Sequence, residues 1–389
     1  MTPPGTVDGR AAASGHGRLA TAMTDAEIII TTGAGGVGKT TMAAALGLAS
    51  ARAGRRALVI TIDPARRLAQ ALGLTALASR PQRVLDDEAG GSLDAMMLDM
   101  QSTFDDLVDR HATSPANAAE IKANRIYQTL SSNLAGTQEY MAMEKLHELH
   151  DLALWDVIVV DTPPTRNALD FLDAPARMTS FLDGHLLRLL LKPAAVAGKG
   201  YMRVVGFGAA TFMKVAGRVT GMELLDDLAA FFGSFDGMYE GFKDRAEQVL
   251  RLLQQPSSSF VVVASPEVPA LREARFFVER LQQEGLNLAT VVVNRVQDEV
   301  ATIPADALRG AAAALGDDRN DRAVAAGLGL LAHLQDTAVR HHHDIAATLR
   351  GPSGAHVLTV PRAARDVHDI DDLDTIGRHL VAHRKASRP

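Results

Sequence analysis

Short runs of β-branched and aliphatic residues alternate along the chain with longer segments of helical character. Each run lacks internal polar alternation and most end at Gly, Pro or Asp, a pattern typical of strands buried on both faces. Because parallel strands need a crossover between them, the alternation with helices indicates an α/β fold with a mostly parallel, doubly wound sheet. The predicted strands are Ile28–Thr32, Ala57–Thr61, Leu93–Leu98, Val157–Val160, Phe260–Ala264, Thr290–Val293 and Val357–Val360.

Two long stretches separate neighbouring strands, and we predict helical insertions there, at about residues 176–255 and 296–354. The number of strands over this length favours a single domain, which we place at residues 26–380. Residues 1–25 are rich in Gly, Ala, Pro, Ser and Thr, so we predict a disordered tail there, and a second tail at 381–389. The sequence has no uncharged apolar stretch long enough to span a membrane, which predicts a cytoplasmic protein.

The composition excludes several classes of function. Acidic residues number 46 and basic residues 40, a formal charge of −6 that argues against general polyanion binding. We therefore expect no nucleic-acid partner. The sequence has no Cys, which excludes disulfides, a catalytic thiol, thiolate-bound iron–sulfur clusters and zinc sites built on Cys.

The strongest chemical motif follows the first predicted strand. Residues 33–41 fit the pattern G-x-x-x-x-G-K-[ST] between a strand and a helix, the context in which such a loop binds phosphates. Backbone N–H groups turn inward around phosphate oxygens, while Lys39 reaches the β- and γ-phosphates and the Thr40 hydroxyl binds Mg²⁺. ATP and Mg²⁺ are the predicted cofactors, and the predicted binding residues are Gly35, Gly36, Val37, Gly38, Lys39, Thr40 and Thr41.

Two carboxylates follow predicted strands. Asp161 lies at the carboxyl edge of the sheet, where open α/β sheets bind their ligands. A carboxylate there can bind Mg²⁺ directly or through water, or it can cap the turn after the strand. Asp63 follows the second strand and is either a site residue or the start of an Asp-Pro turn.

The segment Gly35–Thr40 resembles the variant phosphate loop K-G-G-V-G-K-[ST] of dimeric ATPases. These are related to nitrogenase iron protein, to division-site and partition ATPases, and to the arsenite-pump ATPase ArsA. Thr61–Ala65 is similar to the S-T-D-P-A segment, and Asp161–Thr165 to the D-T-A-P-T segment, of ArsA and of the eukaryotic ATPase that targets tail-anchored proteins. The resemblance covers most of the predicted domain. It is greatest to the actinobacterial ArsA-like ATPases, which share residues 134–144 and 167–175.

This resemblance implies a fold and a function. It implies a P-loop ATPase in which ATP and Mg²⁺ hold a dimer closed and hydrolysis releases it, coupled to a hydrophobic client or partner. Asp63 would orient the water that attacks the γ-phosphate, with Lys39 as the second catalytic residue. Asp161 would hold Mg²⁺ together with Thr40. Asn294 would bind the adenine edge, and Pro361 would begin the loop beside the adenine.

The chain departs from the family pattern at Ala34, where relatives carry a lysine that crosses to the partner's phosphates. Three explanations stay open: a homodimer that hydrolyses slowly, a substitute such as Arg66 or Arg166, or a heterodimer with a paralogous ATPase. Arg166 and Asn167 also replace the Gly-His of relatives. Two alternative functions remain, a weakly active or pseudo-ATPase regulatory subunit and a positioning or partition ATPase.

Three other segments carry residues of interest. Residues 184–222 contain Arg, Lys and Phe but no acidic residue, which is typical of a hydrophobic helical client site or a membrane surface, with ordinary packing as the alternative. Arg340–Asp344 includes three consecutive His, which point around a helix and so favour a solvated face over a metal site. Glu139 and Glu144 lie on a predicted helix and have either structural or functional roles.

Overall fold

The computed structural model describes residues 9–63, 67–125, 127–128, 137–163, 239–316, 318–349 and 355–381. Its backbone contacts divide the chain into two units. The sheet unit comprises Met1–Leu98, Leu149–Leu169 and Leu252–Pro389, and the helical unit comprises Asp99–Glu148 and Asp170–Arg251.

The hydrophobic runs form one sheet because their side chains are apolar on both faces of the strand. The strands in the described part of the chain are β1 (Ile28–Thr32), β2 (Arg56–Thr61), β3 (Gln82–Asp86), β4 (Ser92–Met97), β5 (Val157–Asp161), β6 (Ser258–Ala264), β7 (Leu288–Val296) and β8 (Val357–Pro361). Their order in the sheet is β3-β4-β2-β5-β1-β6-β7-β8, and every neighbouring pair is parallel except β3 and β4. This sheet confirms the predicted α/β fold.

The register of the central strands brings three polar residues into line at one edge. In the pairing of β1 with β5, Thr31 lies opposite Asp161. In the pairing of β2 with β5, Thr61 lies opposite the same aspartate. Because the strands are parallel, the loops that follow all three leave the sheet at this edge.

The strand β3 was not predicted from the sequence. Within the described part of the chain it is an edge strand that pairs with β4 alone. Its sequence, Gln-Arg-Val-Leu-Asp, is largely polar and none of its residues is fully buried. An exposed antiparallel edge does not need the continuous apolar run by which the other strands were recognised.

Helices connect most of the strands. The helix Lys39–Arg52 begins directly at the end of the glycine-rich loop. Ten of its residues are buried, and most of these pack in the core of the sheet unit. The described helices are α1 (Gly9–Asp25), α2 (Lys39–Arg52), α3 (Arg67–Ala71), α4 (Met100–His111), α5 (Pro115–Ala123), α6 (Thr137–Asp151), α7 (Tyr239–Leu253), α8 (Val268–Gln283), α9 (Ala305–Ala313), α10 (Arg319–Leu349) and α11 (Ile370–Val381). Among the described residues, none of these helices has both the length and the apolar character to cross a bilayer.

The prediction of a disordered tail at residues 1–25 is wrong for residues 9–25. Gly9–Asp25 forms helix α1, and its Leu19 and Met23 are buried in the core of the sheet unit. Spaced by four residues, these two side chains form a short apolar stripe that the Gly- and Ala-rich composition conceals. The guanidinium of Arg55 donates a hydrogen bond of 2.7 Å to the Met23 carbonyl oxygen and so satisfies a group near the helix C-terminus.

The two predicted insertions differ in how much of them is described. Helices α9 and α10 lie between β7 and β8, inside the range predicted for the second insertion. Ala305, Leu308 and Ala332 form the small apolar cluster by which these helices pack together. Of the first insertion only residues 239–255 are described, so the client surface predicted at 184–222 lies outside the described residues.

The helical unit contains a buried ion pair. Glu144 on α6 is only 7% exposed, and both of its carboxylate oxygens accept hydrogen bonds of 3.1 Å from Nε of Arg245 on α7. The Tyr140 hydroxyl donates to the same carboxylate. Because removing one partner of a buried pair leaves the other charge uncompensated, these contacts support the structural interpretation of Glu144.

Candidate nucleotide-binding site

The loop between β1 and α2 requires glycine at two positions. Gly38 has φ of 97°, and a Cβ built there would lie 2.4 Å from Nδ2 of Asn294. A Cβ at Gly33 would lie 2.0 Å from the carbonyl oxygen of Val263 on β6. Gly36 has φ of 77°, which favours glycine, but it faces open space. Glycines with positive φ at these positions are typical of a loop that turns its backbone N–H groups toward an anion.

Lys39 is the first residue of α2 and turns back toward the loop. Its side chain is buried, and Nζ donates hydrogen bonds of 3.0 Å to the Gly33 carbonyl and 2.8 Å to the Ala34 carbonyl. Burial lowers the pKa of Lys39, while the charges of Asp161 and Asp63 oppose that shift. A buried ammonium between two carboxylates and a glycine loop is positioned to bind a phosphate group.

Asp161 is fully buried at the end of β5 and has a partly unused carboxylate. Its Oδ2 accepts a hydrogen bond of 2.9 Å from the Thr61 hydroxyl. Its Oδ1 has no hydrogen-bond partner among the described residues. Burial raises the pKa of Asp161 to about 6, against the opposing effects of the Thr40 and Thr61 hydroxyls and of Lys39. A buried carboxylate oxygen without a partner beside a threonine hydroxyl fits the oxygen ligands that Mg²⁺ prefers.

Asp63 follows β2 and is half-buried. Its backbone N–H donates a hydrogen bond of 3.2 Å to the Thr61 hydroxyl oxygen, the same hydroxyl that donates to Asp161. Thr61 therefore connects the two acidic positions. Sequence reasoning assigned no role to Thr61, although its position at the end of a strand next to the one ending in Asp161 was the available signal.

Asn294 near the end of β7 reaches the loop rather than open space. Its Nδ2 donates a hydrogen bond of 3.0 Å to the Val37 carbonyl, and its Oδ1 accepts one of 2.9 Å from the Arg295 backbone N–H. The Arg295 guanidinium donates a hydrogen bond of 3.1 Å to the Gly36 carbonyl. Sequence reasoning did not select Arg295, and no local pattern in the sequence marks it.

The structure thus brings most of the predicted site residues to one edge of the sheet, around the loop and the first turn of α2, which includes Thr40 and Thr41. Pro361 is farther along the sheet, at the end of β8, where it pairs with Val296 of β7. Arg66 and Arg166, the predicted substitutes for a lysine at position 34, lie outside the described residues. The prediction of a solvated face holds for His343, which is exposed, whereas His341 and His342 are half-buried. His341 Nδ1 accepts a 3.1 Å hydrogen bond from the Gln297 backbone N–H.

The loop geometry, the buried lysine and the adjacent carboxylates define a P-loop nucleotide-binding protein. A family model described as anion-transporting ATPase matches residues 26–310, and the chain belongs to this family. This membership confirms the ArsA-like resemblance that the sequence motifs indicate.

Individual relatives are distant. The chain is 26% identical over 281 residues to "Putative arsenical pump-driving ATPase 1" of Aquifex aeolicus. The matched region covers 70% of this chain and 64% of the relative. It is 28% identical over 267 residues to ATPase GET3A of Arabidopsis thaliana, covering 68% and 65% respectively. With ATPase BagA of Mycobacterium tuberculosis it shares 26% identity over 161 residues, covering 40% and 47%. The chain therefore spans just under two thirds of the length of the first two relatives.

Replacing Gly38 with Ala is expected to reduce the free energy of unfolding more than replacing Gly36 with Ala. Both variants place a side chain at positive φ, which costs about 1 kcal/mol or more. Only the Gly38 variant also collides with Asn294, and overpacking adds about 1–3 kcal/mol. Urea unfolding of both variants measures the difference, and equal losses would show that the contact with Asn294 carries no weight.

Proposed function

We propose that this ATPase binds ATP with Mg²⁺ at the glycine-rich loop and hydrolyses it to ADP and phosphate. The observation that carries the proposal is the convergence of a buried lysine and a buried carboxylate with an unpartnered oxygen on a loop of left-handed glycines. A site of this kind supplies charge and oriented donors for phosphoryl transfer, which depends mainly on positioning and electrostatics.

In this proposal the loop and Lys39 bind the phosphates. Backbone N–H groups of residues 35–41 point at the phosphate oxygens, and the N-terminus of α2 adds positive potential. Lys39 exchanges its hydrogen bonds with the Gly33 and Ala34 carbonyls for contacts with the β- and γ-phosphates. The lysine is held beside the loop before the nucleotide arrives, so little ordering of its side chain remains to be done on binding.

Mg²⁺ would be held by oxygen ligands from two elements. The Thr40 hydroxyl supplies one ligand and the Asp161 carboxylate supplies another, directly or through water. The bound cation offsets negative charge on the phosphates. Thr61 fixes the orientation of the Asp161 carboxylate through the hydrogen bond to Oδ2, which leaves Oδ1 available.

Asp63 would orient the water that attacks the γ-phosphate. The oxygen of the water forms the new bond to phosphorus as the bond to the ADP oxygen breaks, and the proton of the water ends on the released phosphate. Asp63 is suited to this role because its backbone is anchored to Thr61, which also anchors Asp161. The distance between the two acidic positions is thereby restricted by one side chain.

Asn294 and Pro361 are proposed to bind the adenine. An amide has two N–H donors and two acceptor lone pairs, and Asn294 uses one of each kind within the chain. The remaining donor and acceptor are the groups that an adenine edge requires. Pro361 ends the strand next to β7 and would contact the base from that side.

The dimer and its client are proposals that rest on family membership. ATP and Mg²⁺ would hold a closed cytoplasmic dimer, and hydrolysis would open it and change its affinity for a hydrophobic client bound at residues 184–222 or for a membrane surface. With Ala34 in place of the cross-dimer lysine, three alternatives remain: a slow homodimer, a substitute such as Arg66 or Arg166, and a heterodimer with a paralogous ATPase. The absence of Cys argues against arsenite binding through thiolates and against a zinc-linked dimer.

The test is ATP turnover by the purified chain, alone and mixed with paralogous ATPases. We expect Mg²⁺-dependent hydrolysis that Lys39→Met reduces by at least about a thousandfold, while Lys122→Met, which removes a surface ion pair with Asp109, leaves it unchanged. Full activity of the chain alone would discard the heterodimer requirement. Nucleotide binding without hydrolysis under every condition would favour the regulatory subunit, and absence of nucleotide binding would refute the proposal.

A further inference from the structure

We propose that Arg295 is a positioning residue that holds the phosphate loop in its anion-binding conformation. The inference rests on the proposed binding of nucleotide at this loop and goes beyond it by assigning a residue of β7 to the loop. Arg295 is exposed, and its guanidinium donates to the Gly36 carbonyl at 3.1 Å across 259 residues of sequence. Because the two residues are far apart in the sequence, the tertiary fold alone brings them into contact.

The backbone of Arg295 is strained in a way that serves this contact. Its φ is 61°, and among the described residues it shares a positive φ with only one other residue that is not glycine, Ala153. The pairing of β7 with β8 is irregular between Val293 and Val296, at the same position. A bulge re-aims the side chain at its position, and a left-handed residue persists only where the surroundings hold it. The strain therefore directs the guanidinium toward the loop.

The contact has a consequence for the loop's own polar groups. A loop that binds phosphate with its N–H groups turns its carbonyl groups away, and a donor from the protein or from water satisfies each of them. Lys39 supplies donors for the Gly33 and Ala34 carbonyls. Two side chains of β7 supply donors for two more: Asn294 for the Val37 carbonyl and Arg295 for the Gly36 carbonyl.

These donors differ in what they do when nucleotide binds. Lys39 must turn toward the phosphates, so its two carbonyl contacts are lost or weakened. The contacts from Asn294 and Arg295 then remain as the side-chain restraints on the middle of the loop. Because that part of the loop surrounds the β-phosphate, its order matters for ADP and ATP alike. A direct contact of Arg295 with the γ-phosphate would instead matter for ATP alone.

The test compares nucleotide affinities of Arg295→Ala, Arg295→Gly and Arg295→Lys in the full chain by calorimetry with MgADP and with a non-hydrolysable MgATP analogue. We expect the Ala and Gly variants to weaken both nucleotides by about tenfold, the weight of one charge-assisted hydrogen bond. Lys retains a donor without the fork geometry and should recover part of the affinity. Arg275→Ala, which removes an exposed ion pair with Glu279 on α8, is the matched control and should change nothing.

The Gly variant separates positioning from folding. Gly tolerates the positive φ, so Arg295→Gly should keep the thermal stability of the nucleotide-free protein while still losing nucleotide affinity. Loss confined to the ATP analogue, or unchanged affinity in both the Gly and Ala variants, would overturn the proposal. Failure of the wild-type chain to bind either nucleotide would instead overturn the proposed function, so the two failures are distinguishable.

Discussion

Asp161→Asn is expected to make the nucleotide-free protein more stable at neutral pH while removing Mg²⁺-dependent ATP turnover. Burial raises the pKa of Asp161 from 3.8 to about 6, so the ionised carboxylate is held at a cost. That difference corresponds to about 3 kcal/mol of unfolding free energy, at about 1.36 kcal/mol per pKa unit. Asn keeps an acceptor for the Thr61 hydroxyl but carries no charge and binds Mg²⁺ poorly, so turnover should fall at least about a hundredfold.

The pH dependence of this stabilisation has a definite sign. A carboxyl group whose pKa is higher in the folded than in the unfolded protein binds more protons when folded. Its contribution to stability is therefore present below the unfolded pKa and is lost as the pH rises through the folded pKa. The advantage of Asp161→Asn should therefore be absent near pH 4, grow up to about pH 6 and stay constant above it. Thermal unfolding of both proteins without nucleotide, followed across this range, measures it.

Asp94→Asn is the matched control for this experiment. Asp94 is also a buried aspartate of the sheet, but it accepts hydrogen bonds of 2.6 Å from Arg83 and 2.7 Å from Trp155. Because its carboxylate is paired, the same substitution should lower the stability instead of raising it. A gain in stability in both variants would show that the effect comes from the loss of any buried charge. A loss of stability in Asp161→Asn would contradict a destabilising carboxylate at the end of β5.

The strands that were predicted from the sequence are those whose burial requires a continuous run of apolar residues. In the middle of a parallel sheet both faces need apolar side chains, so β1, β2 and β5 appear as uninterrupted apolar runs. The edge strand β3 has no fully buried residue, and helix α1 buries a few apolar side chains such as Leu19 and Met23, so neither sequence shows a continuous apolar run. Local composition cannot reveal an element whose stability comes from a partner distant in the chain.

The candidate site divides in the same way. The loop could be predicted because its chemistry requires glycines, a lysine and a threonine at fixed spacing in one short segment. For Thr61 the only signal was its position at the end of a strand, because its role depends on the register of β2 with β5. Arg295 could not be predicted, because its role depends on a left-handed backbone that the neighbouring residues do not indicate. The contact of Asn294 with Val37 was also unforeseen, since the resemblance pointed only to adenine.

Asp63→Asn is expected to leave ATP binding intact and to reduce the single-turnover rate of hydrolysis by about a thousandfold, the usual weight of a residue that orients the attacking group. Asn preserves the backbone N–H that bonds to Thr61 and removes only the negative charge. Because that charge also acts on Lys39, its loss should keep or slightly improve ATP affinity, so KM stays level or falls while kcat collapses. Asp86→Asn, an exposed aspartate on β3, should retain full turnover.

The same variant tests the proposed switch. An ATP-bound protein that cannot hydrolyse should accumulate in the closed state, so Asp63→Asn with MgATP should elute as a dimer under conditions where MgADP gives monomer or a looser dimer. A large loss of ATP affinity would show that Asp63 supports the loop instead of the water. An unchanged rate would remove Asp63 from the catalytic step and leave the attacking water to another residue. A collapsed rate without any nucleotide-dependent change in oligomeric state would keep the ATPase and reject the dimer switch.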